Sequence, residues 1–163
     1  MSTSDNIVVR VARVDDLESL VEFNLAMARE TEDKSLDRAT LTSGVSHLLQ
    51  NPLYGFYVVA ENATASEVVG SLMITYEWSD WRNALFWWVQ SVYVKPLYRR
   101  RGVYRALYSE VKDRAAAERG VCGFRLYVEK ENTIAQQTYR RLGMDESHYL
   151  MFEEGCDFAS QNV

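Results

Sequence analysis

The residues whose types and spacing could do chemistry are Arg99, Arg100, Arg101 and Arg105, grouped around Gly102. They follow an apolar run, Ala84 to Val94, and precede a helical pattern that begins at Val103. A strand that turns sharply into a helix leaves the first backbone N–H groups without intrahelical carbonyls, at the positive end of the helix dipole. That point is suited to a phosphate-like anion. A glycine there lets backbone approach a bound oxygen with no Cβ between them. The turn is neither a nucleotide P-loop nor a Gly-x-Gly-x-x-Gly dinucleotide turn, because both patterns are absent.

The rest of the chain is acidic, with a net charge of −5. The arginines are therefore a local feature, which favours a small anionic ligand over nucleic acid. The remaining field suits a cationic second substrate. Trp78, Asp80, Trp81, Trp87 and Trp88 crowd one hairpin, and aromatic faces beside a carboxylate suit an ammonium group; packing is the plain alternative. An acidic run, Glu30, Glu32, Asp33 and Asp37, reads as a solvated loop between helices. His47 and His148 stand alone, and Cys122 and Cys156 lack metal spacing, so no metal is expected.

Elements must position the arginine turn. Ile7 to Arg13 reads as a strand, and Asp15 or Asp16 can cap a helix over about 15–32 with Leu17, Leu20, Val21, Leu25 and Ala28 inward. Asp37 can cap a second helix that stops near Pro52. Gly55 to Ala60 and Val68 to Trp78 read as a strand hairpin. Ala84 to Val94 is apolar on both faces, the mark of a central strand. A helix runs from Val103 to about Glu118 and stops at Gly120. Phe124 to Val128 is a further strand. Asn132 caps a helix that Gly143 ends, and His148 to Phe152 is a last strand. The strand, helix and strand of 84–128 form a parallel crossover unit.

The expected fold is α/β: a mixed, mostly antiparallel central sheet of six to seven strands, helices on both faces, in the order β-α-α-β-β-β-α-β-α-β. At 163 residues, 47% hydrophobic and 12% aromatic, the chain is expected to be one globular domain over 1–163, with 155–163 a tail. No secretory signal or membrane span is expected, and two lone thiols suit the cytoplasm.

Two stretches carry a resemblance. Arg99-Arg100-Arg101-Gly102-Val103-Tyr104 resembles the acyl-CoA-binding motif Gln/Arg-x-x-Gly-x-Gly/Ala of the GNAT family of N-acetyltransferases. Val92-Tyr93-Val94-Lys95-Pro96-Leu97-Tyr98-Arg99 is similar to the strand and turn that precede it. Asn132 to Met144 is similar to the family's "N-x-x-A-x-x-x-Y-x-x-x-G-F/M" helix. Tyr104 departs from the pattern, where a small residue is usual.

The resemblance implies an acetyl-CoA-dependent N-acetyltransferase acting on a primary amine of a small molecule or a protein by direct attack in a ternary complex. It implies pyrophosphate on the turn, around Arg99, Arg100, Arg101, Gly102, Val103, Tyr104 and Arg105. The pantetheine arm would pair with backbone of Val92, Tyr93 and Val94, which requires the strand of Phe124 to Val128 to splay away. Asn132 and Tyr139 would line the cofactor, with Tyr139 the general acid that protonates the leaving thiolate; a structural Tyr is the alternative. Relatives place a Glu base where this chain has Gln90. A water relay to Glu77, Asp80 or Glu129, with Glu77 first, or capture of the neutral amine would replace it. Gln90 also supports a different reading, a non-catalytic acyl-CoA-binding or regulatory domain. Dimers are common among such proteins, so a homodimer stays open; no membrane or nucleic-acid partner is implied.

Overall fold

The computed structural model describes residues 6–156, which pack as two compact units divided after Tyr127. The first unit holds β1 (Ile7–Val11), α1 (Leu17–Glu32), α2 (Arg38–Gln50), β2 (Gly55–Asn62), β3 (Glu67–Ser79), β4 (Ala84–Val94), α3 (Val103–Glu118) and β5 (Val121–Arg125). The second holds α4 (Thr133–Arg141). The five strands lie in sequence order; β4 and β5 are parallel and the other neighbours antiparallel. No helix among the described residues is long and apolar enough to cross a membrane.

Alternation places successive side chains on opposite faces. Tyr57 and Val59 meet Leu20, Val21 and Leu25 of α1 and Val45 of α2 in one core. The opposite face receives α3: a Cβ on Gly70 would lie 3.2 Å from Val103 Cγ1. Helices thus cover both faces, as the periodicity predicts. Asp37 caps α2, its carboxylate accepting from Thr40 N at 2.8 Å. Asp16 sits at the start of α1 but spends its carboxylate on Arg10, at 2.8 and 2.9 Å, and on the N–H of Arg13 at 2.6 Å. Burial opposes the charge on Asp16, yet Arg10 and that N–H outweigh it and hold the carboxyl below its ordinary range.

Three expectations are corrected. Among the described residues the sheet has five strands, not six to seven. Residues 148–152 form no strand and are exposed; an apolar run of β-formers supplies propensity but no partner, and a strand needs one. The strand expected over 124–128 is Val121–Arg125. Gly123 argues against a strand by propensity, but it is needed under Phe86, whose ring carbon would lie 2.8 Å from a Cβ at that position. Of the expected tail, Gly155 and Cys156 carry no regular structure, and 157–163 lie outside the described residues.

Candidate acyl-donor and acceptor site

The arginine turn is anchored at its strand end, before α3 begins. Lys95 N donates to Val69 O at 2.9 Å, and Lys95 Nζ pairs with Glu67 at 2.5 Å. That hydrogen bond holds the Glu67 carboxyl below its ordinary value. One tight helical turn, Pro96–Tyr98, follows. Tyr98 OH accepts from Asn62 Nδ2 at 3.2 Å and donates to Glu67 at 3.3 Å. These bonds fasten the turn to the β2–β3 hairpin.

Left-handed residues then alternate through the turn: Arg100 has φ 63° and Gly102 has φ 83°. Successive peptides of opposite hand turn their N–H groups towards a common concavity, a backbone nest for an anion. Gly102 is the N-cap of α3 and has no side chain to offer its first turn. The first intrahelical bond of α3 runs from Ala106 N to Gly102 O at 3.0 Å. Arg100, Arg101 and Arg105 are exposed around this point.

Arg99 is differently engaged. Its Nε donates to Val94 O at 2.8 Å and its Nη2 to Glu30 at 2.6 Å, with the guanidinium 5.4 Å from the Tyr93 ring centroid. Tyr93 OH also donates to Glu30, at 3.2 Å, and its ring lies 5.1 Å from that of Phe23. Burial, then the Glu30 charge, push the Tyr93 phenol up. Glu30 therefore ties the end of α1 to the base of the turn. Nothing in the acidic run announces this; the other members separate, with Glu32 pairing with Lys34 and Asp37 capping α2. Tyr104 stacks on Tyr108 with centroids 6.1 Å apart and planes within 5°. Tyr108 in turn meets Phe124 edge-on at 5.7 Å. The unusual bulk at 104 is thus absorbed in an aromatic row along α3.

Strand β4 carries a feature the sequence did not reveal. Ser71 pairs with Tyr93 but Met73 with Gln90, so β4 has one extra residue opposite β3. Ser91 takes it up with φ 50°. A bulge of this kind breaks the ladder and re-aims the backbone beside it, here at Val92. On the other edge, β4 and β5 pair only from Leu85↔Val121 to Trp88↔Arg125. Beyond Trp88 the β4 edge has no strand beside it among the described residues of this unit. The edge is open because β5 ends at Arg125, not because a strand over 124–128 splays away.

The α1/α2 face of the sheet near this parting is polar. Gln90 Nε2 donates to Thr75 Oγ1 at 2.5 Å. Glu77 accepts from Trp88 Nε1 at 2.5 Å and from Arg125 Nη1 at 2.6 Å. Met73 is the residue opposite Gln90, so Glu77 lies about 13 Å further along β3 at ~3.3 Å per residue. The expected tryptophan cluster divides. Trp87 is fully buried against Phe56, Tyr76 and Phe124. Trp78 and Trp81 are 60% and 86% exposed. Asp80 caps its own turn, accepting from Trp81 N. Arg125 was missed by sequence reasoning; a charged residue inside the apolar run Phe124-Arg125-Leu126-Tyr127 was the available signal.

In the second unit, Asn132 caps α4, its Oδ1 accepting from Ala135 N at 3.1 Å. That bond spends the side-chain carbonyl and leaves the amide N–H groups for another partner. Tyr139 lies two turns on along the same helix face. Burial raises its phenol above the ordinary value, so it remains a proton donor at neutral pH. Glu129 is exposed. His47 and His148 are exposed too, and no cluster of metal-ligating side chains occurs among the described residues.

Known proteins share this fold. The model of the acetyltransferase (GNAT) family matches residues 17–144. A possible acetyltransferase from Clostridium difficile 630 is 45% identical, with a TM-score of 0.85 over 92% of this chain and 97% of that one. The aminoglycoside N-acetyltransferase AAC(6')-Iy in complex with CoA is 17% identical, with a TM-score of 0.75 over 95% of this chain and 98% of that one. The same enzyme bound to a bisubstrate analog, CoA-S-monomethyl-acetylneamine, is 18% identical, with a TM-score of 0.73 over 93% and 99%. At such identity these two show the fold alone. No curated protein matches the chain. A nest opening α3, a bulged and half-released β4, and a family match spanning both motifs agree: the chain belongs to the acetyltransferase (GNAT) family.

Proposed function

We propose that this protein is an acetyl-CoA-dependent N-acetyltransferase that acetylates a primary amine by direct attack, as one domain over the whole chain. The observation that carries the reading is the turn of Arg100 and Gly102 at the uncapped start of α3, set at the end of a strand whose outer edge is released. That arrangement fits a pyrophosphate with an extended arm beside it. A Cβ built on Gly102 would meet no atom outside its chain neighbours within 4 Å, so the protein itself leaves that side of the turn open. Bound acetyl-CoA would supply the acetyl thioester.

The chain's own residues do the rest. Arg100, Arg101, Arg105 and the N–H groups of Gly102, Val103 and Tyr104 hold the pyrophosphate, and Arg99 adds charge at the base of the turn. Val92, Tyr93 and Val94 offer backbone to the arm, and the N–H of Val92 beside the bulge polarises the carbonyl. For Asn132 and Tyr139 the resemblance assigns cofactor lining and proton donation to the departing sulfur, and the raised Tyr139 phenol is protonated for that role. Holding both reactants together is the main contribution. No carboxylate replaces the usual Glu at Gln90, and both oxygens of Glu77 are engaged. The amine is therefore captured neutral, with a water chain to Glu77 as the route by which its position could help.

The test is thiol release from acetyl-CoA over a panel of primary amines, aminoglycosides included. Amine-dependent release supports the reading. Gln90 favours a second one, a non-catalytic acyl-CoA-binding domain; tight acetyl-CoA binding with no release from any amine would select it.

A further inference from the structure

Arg125 has no part in the reading above, yet it is held from several sides. Its Nη1 donates to Glu77, whose other oxygen is taken by Trp88. Its guanidinium carbon lies 3.7 Å from the Phe86 ring centroid. Arg82 lies 5.1 Å from the same ring and adds positive charge. Three strands thus converge on one cation: Glu77 from β3, Phe86 and Trp88 from β4, and Arg125 itself from β5.

A guanidinium carries five N–H donors in a planar fork that matches a carboxylate with two parallel bonds. One donor is engaged by Glu77, and the Arg125 side chain is 33% exposed. The contact with Phe86 and the bond to Glu77 set its plane in advance, so little ordering is left for a ligand to supply. An exposed ion pair contributes only about 0–1 kcal/mol to stability, which makes fold stability a weak account of this arrangement. The position matters as well. Trp88↔Arg125 is the last pair before β4 and β5 part. The bulge at Ser91 and Val92 lies about 10–13 Å further along β4, at ~3.3 Å per residue.

We propose that Arg125 takes a carboxylate of the acceptor, which is therefore an amine bearing a carboxylate several bonds away, as in an ω-amino acid or a short peptide. This rests on the acetyltransferase reading. The Arg125 guanidinium leans back over Phe86 towards Glu77, on the side of Trp88 away from the bulge, so its reach does not shorten the separation along β4, which exceeds the span of an α-amino acid. Glu77 then serves as the residue that positions Arg125.

Matched acceptors test this: pentylamine, 5-aminopentanoate, cadaverine and glycine, each with acetyl-CoA. The kcat/KM for 5-aminopentanoate should exceed that for pentylamine by about 10- to 100-fold, the range of a charge-assisted contact, and should exceed that for glycine. Arg125→Gln should bring the first ratio near one, and Arg125→Lys should keep part of it. A ratio near one in the wild type, preference for cadaverine, or a ratio unchanged in Arg125→Gln would overturn the proposal. Calorimetric binding of 5-acetamidopentanoate, which needs no turnover, is the second readout, with folding checked by thermal melting. If no amine releases thiol but this ligand binds and Arg125→Gln abolishes binding, the carboxylate site stands and the enzyme reading falls. If the ligand does not bind, or binds equally to the variant, the carboxylate site falls.

Discussion

Gly102 offers a sharp test of the phosphate turn, because its two possible roles separate. At φ 83° any L residue is strained, and no atom outside its chain neighbours lies within 4 Å of a Cβ built there. Gly102→Ala therefore meets backbone strain and no protein clash, at a cost of about 1–2 kcal/mol. For a chain of this length that lowers the melting temperature by roughly 2–8 °C. Gly120 is the internal control. It has φ 92°, equally open space, and sits beyond the far end of the 16-residue α3, about 24 Å from its start. Gly120→Ala should lose similar stability and leave acetyl-CoA affinity unchanged. Gly102→Ala and Gly102→Val should lose affinity besides. Disturbing one charge-assisted bond costs about 1.5–3 kcal/mol, or roughly 10- to 150-fold in Kd. Thermal melting and calorimetric titration with acetyl-CoA measure the two effects. Binding by Gly102→Val within about twofold of wild type, with the fold intact, would refute the pyrophosphate placement.

Three further outcomes are expected. Tyr139→Phe should lower kcat about a hundredfold or more with acetyl-CoA affinity unchanged, and single-turnover kinetics would detect a structural Tyr as equal loss of both. Wild-type kcat/KM should rise about tenfold per pH unit towards an alkylamine pKa near 10.4, while Gln90→Glu should flatten that rise at neutral pH; a neutral plateau in the wild type would show that a base is already present. Asp16→Asn should destabilise the fold by roughly 1–3 kcal/mol. Because the Asp16 carboxyl lies below its ordinary value when folded, its contribution is present above about pH 4 and lost as pH falls through the folded value, so denaturant unfolding of the variant should vary less with acid than that of wild type.

Much of this fold was legible because its signals are local. The helical spacing of Leu17, Leu20, Val21 and Leu25 needs no partner to be read, and those residues are in the core. The caps at Asp37 and Asn132 are legible for the same reason, since each closes on an N–H three residues away. Asp16 shows the limit: its type suited a cap, but Arg10, fixed on β1, claimed the carboxylate. Gly123 shows another, since only the Phe86 ring packed over it explains a glycine inside β5. Residues 148–152 are an apolar run of β-forming type, and residue type cannot report whether an edge is available to pair with.

The same distinction divides the candidate site. The arginine turn is continuous in sequence, so its strand, glycine and helix start can be read together, while its ties to other elements, Glu30 to Arg99 and Tyr93 and Glu67 to Lys95 and Tyr98, lay hidden. The polar floor is different. Glu77, Trp88 and Arg125 are up to 48 positions apart and become neighbours only through the registers of β3 on β4 and of β4 on β5. A shift of one residue in either register would turn a member of the trio to the opposite face. The bulge at Ser91 makes such a shift within β4, so Gln90 and Tyr93, three apart in sequence, share the α1/α2 face. On the proposed reading, the phosphate turn of the donor site is written in one local segment. The proposed acceptor floor depends on registers and a bulge, so small changes in β4 would re-aim it while leaving the turn intact.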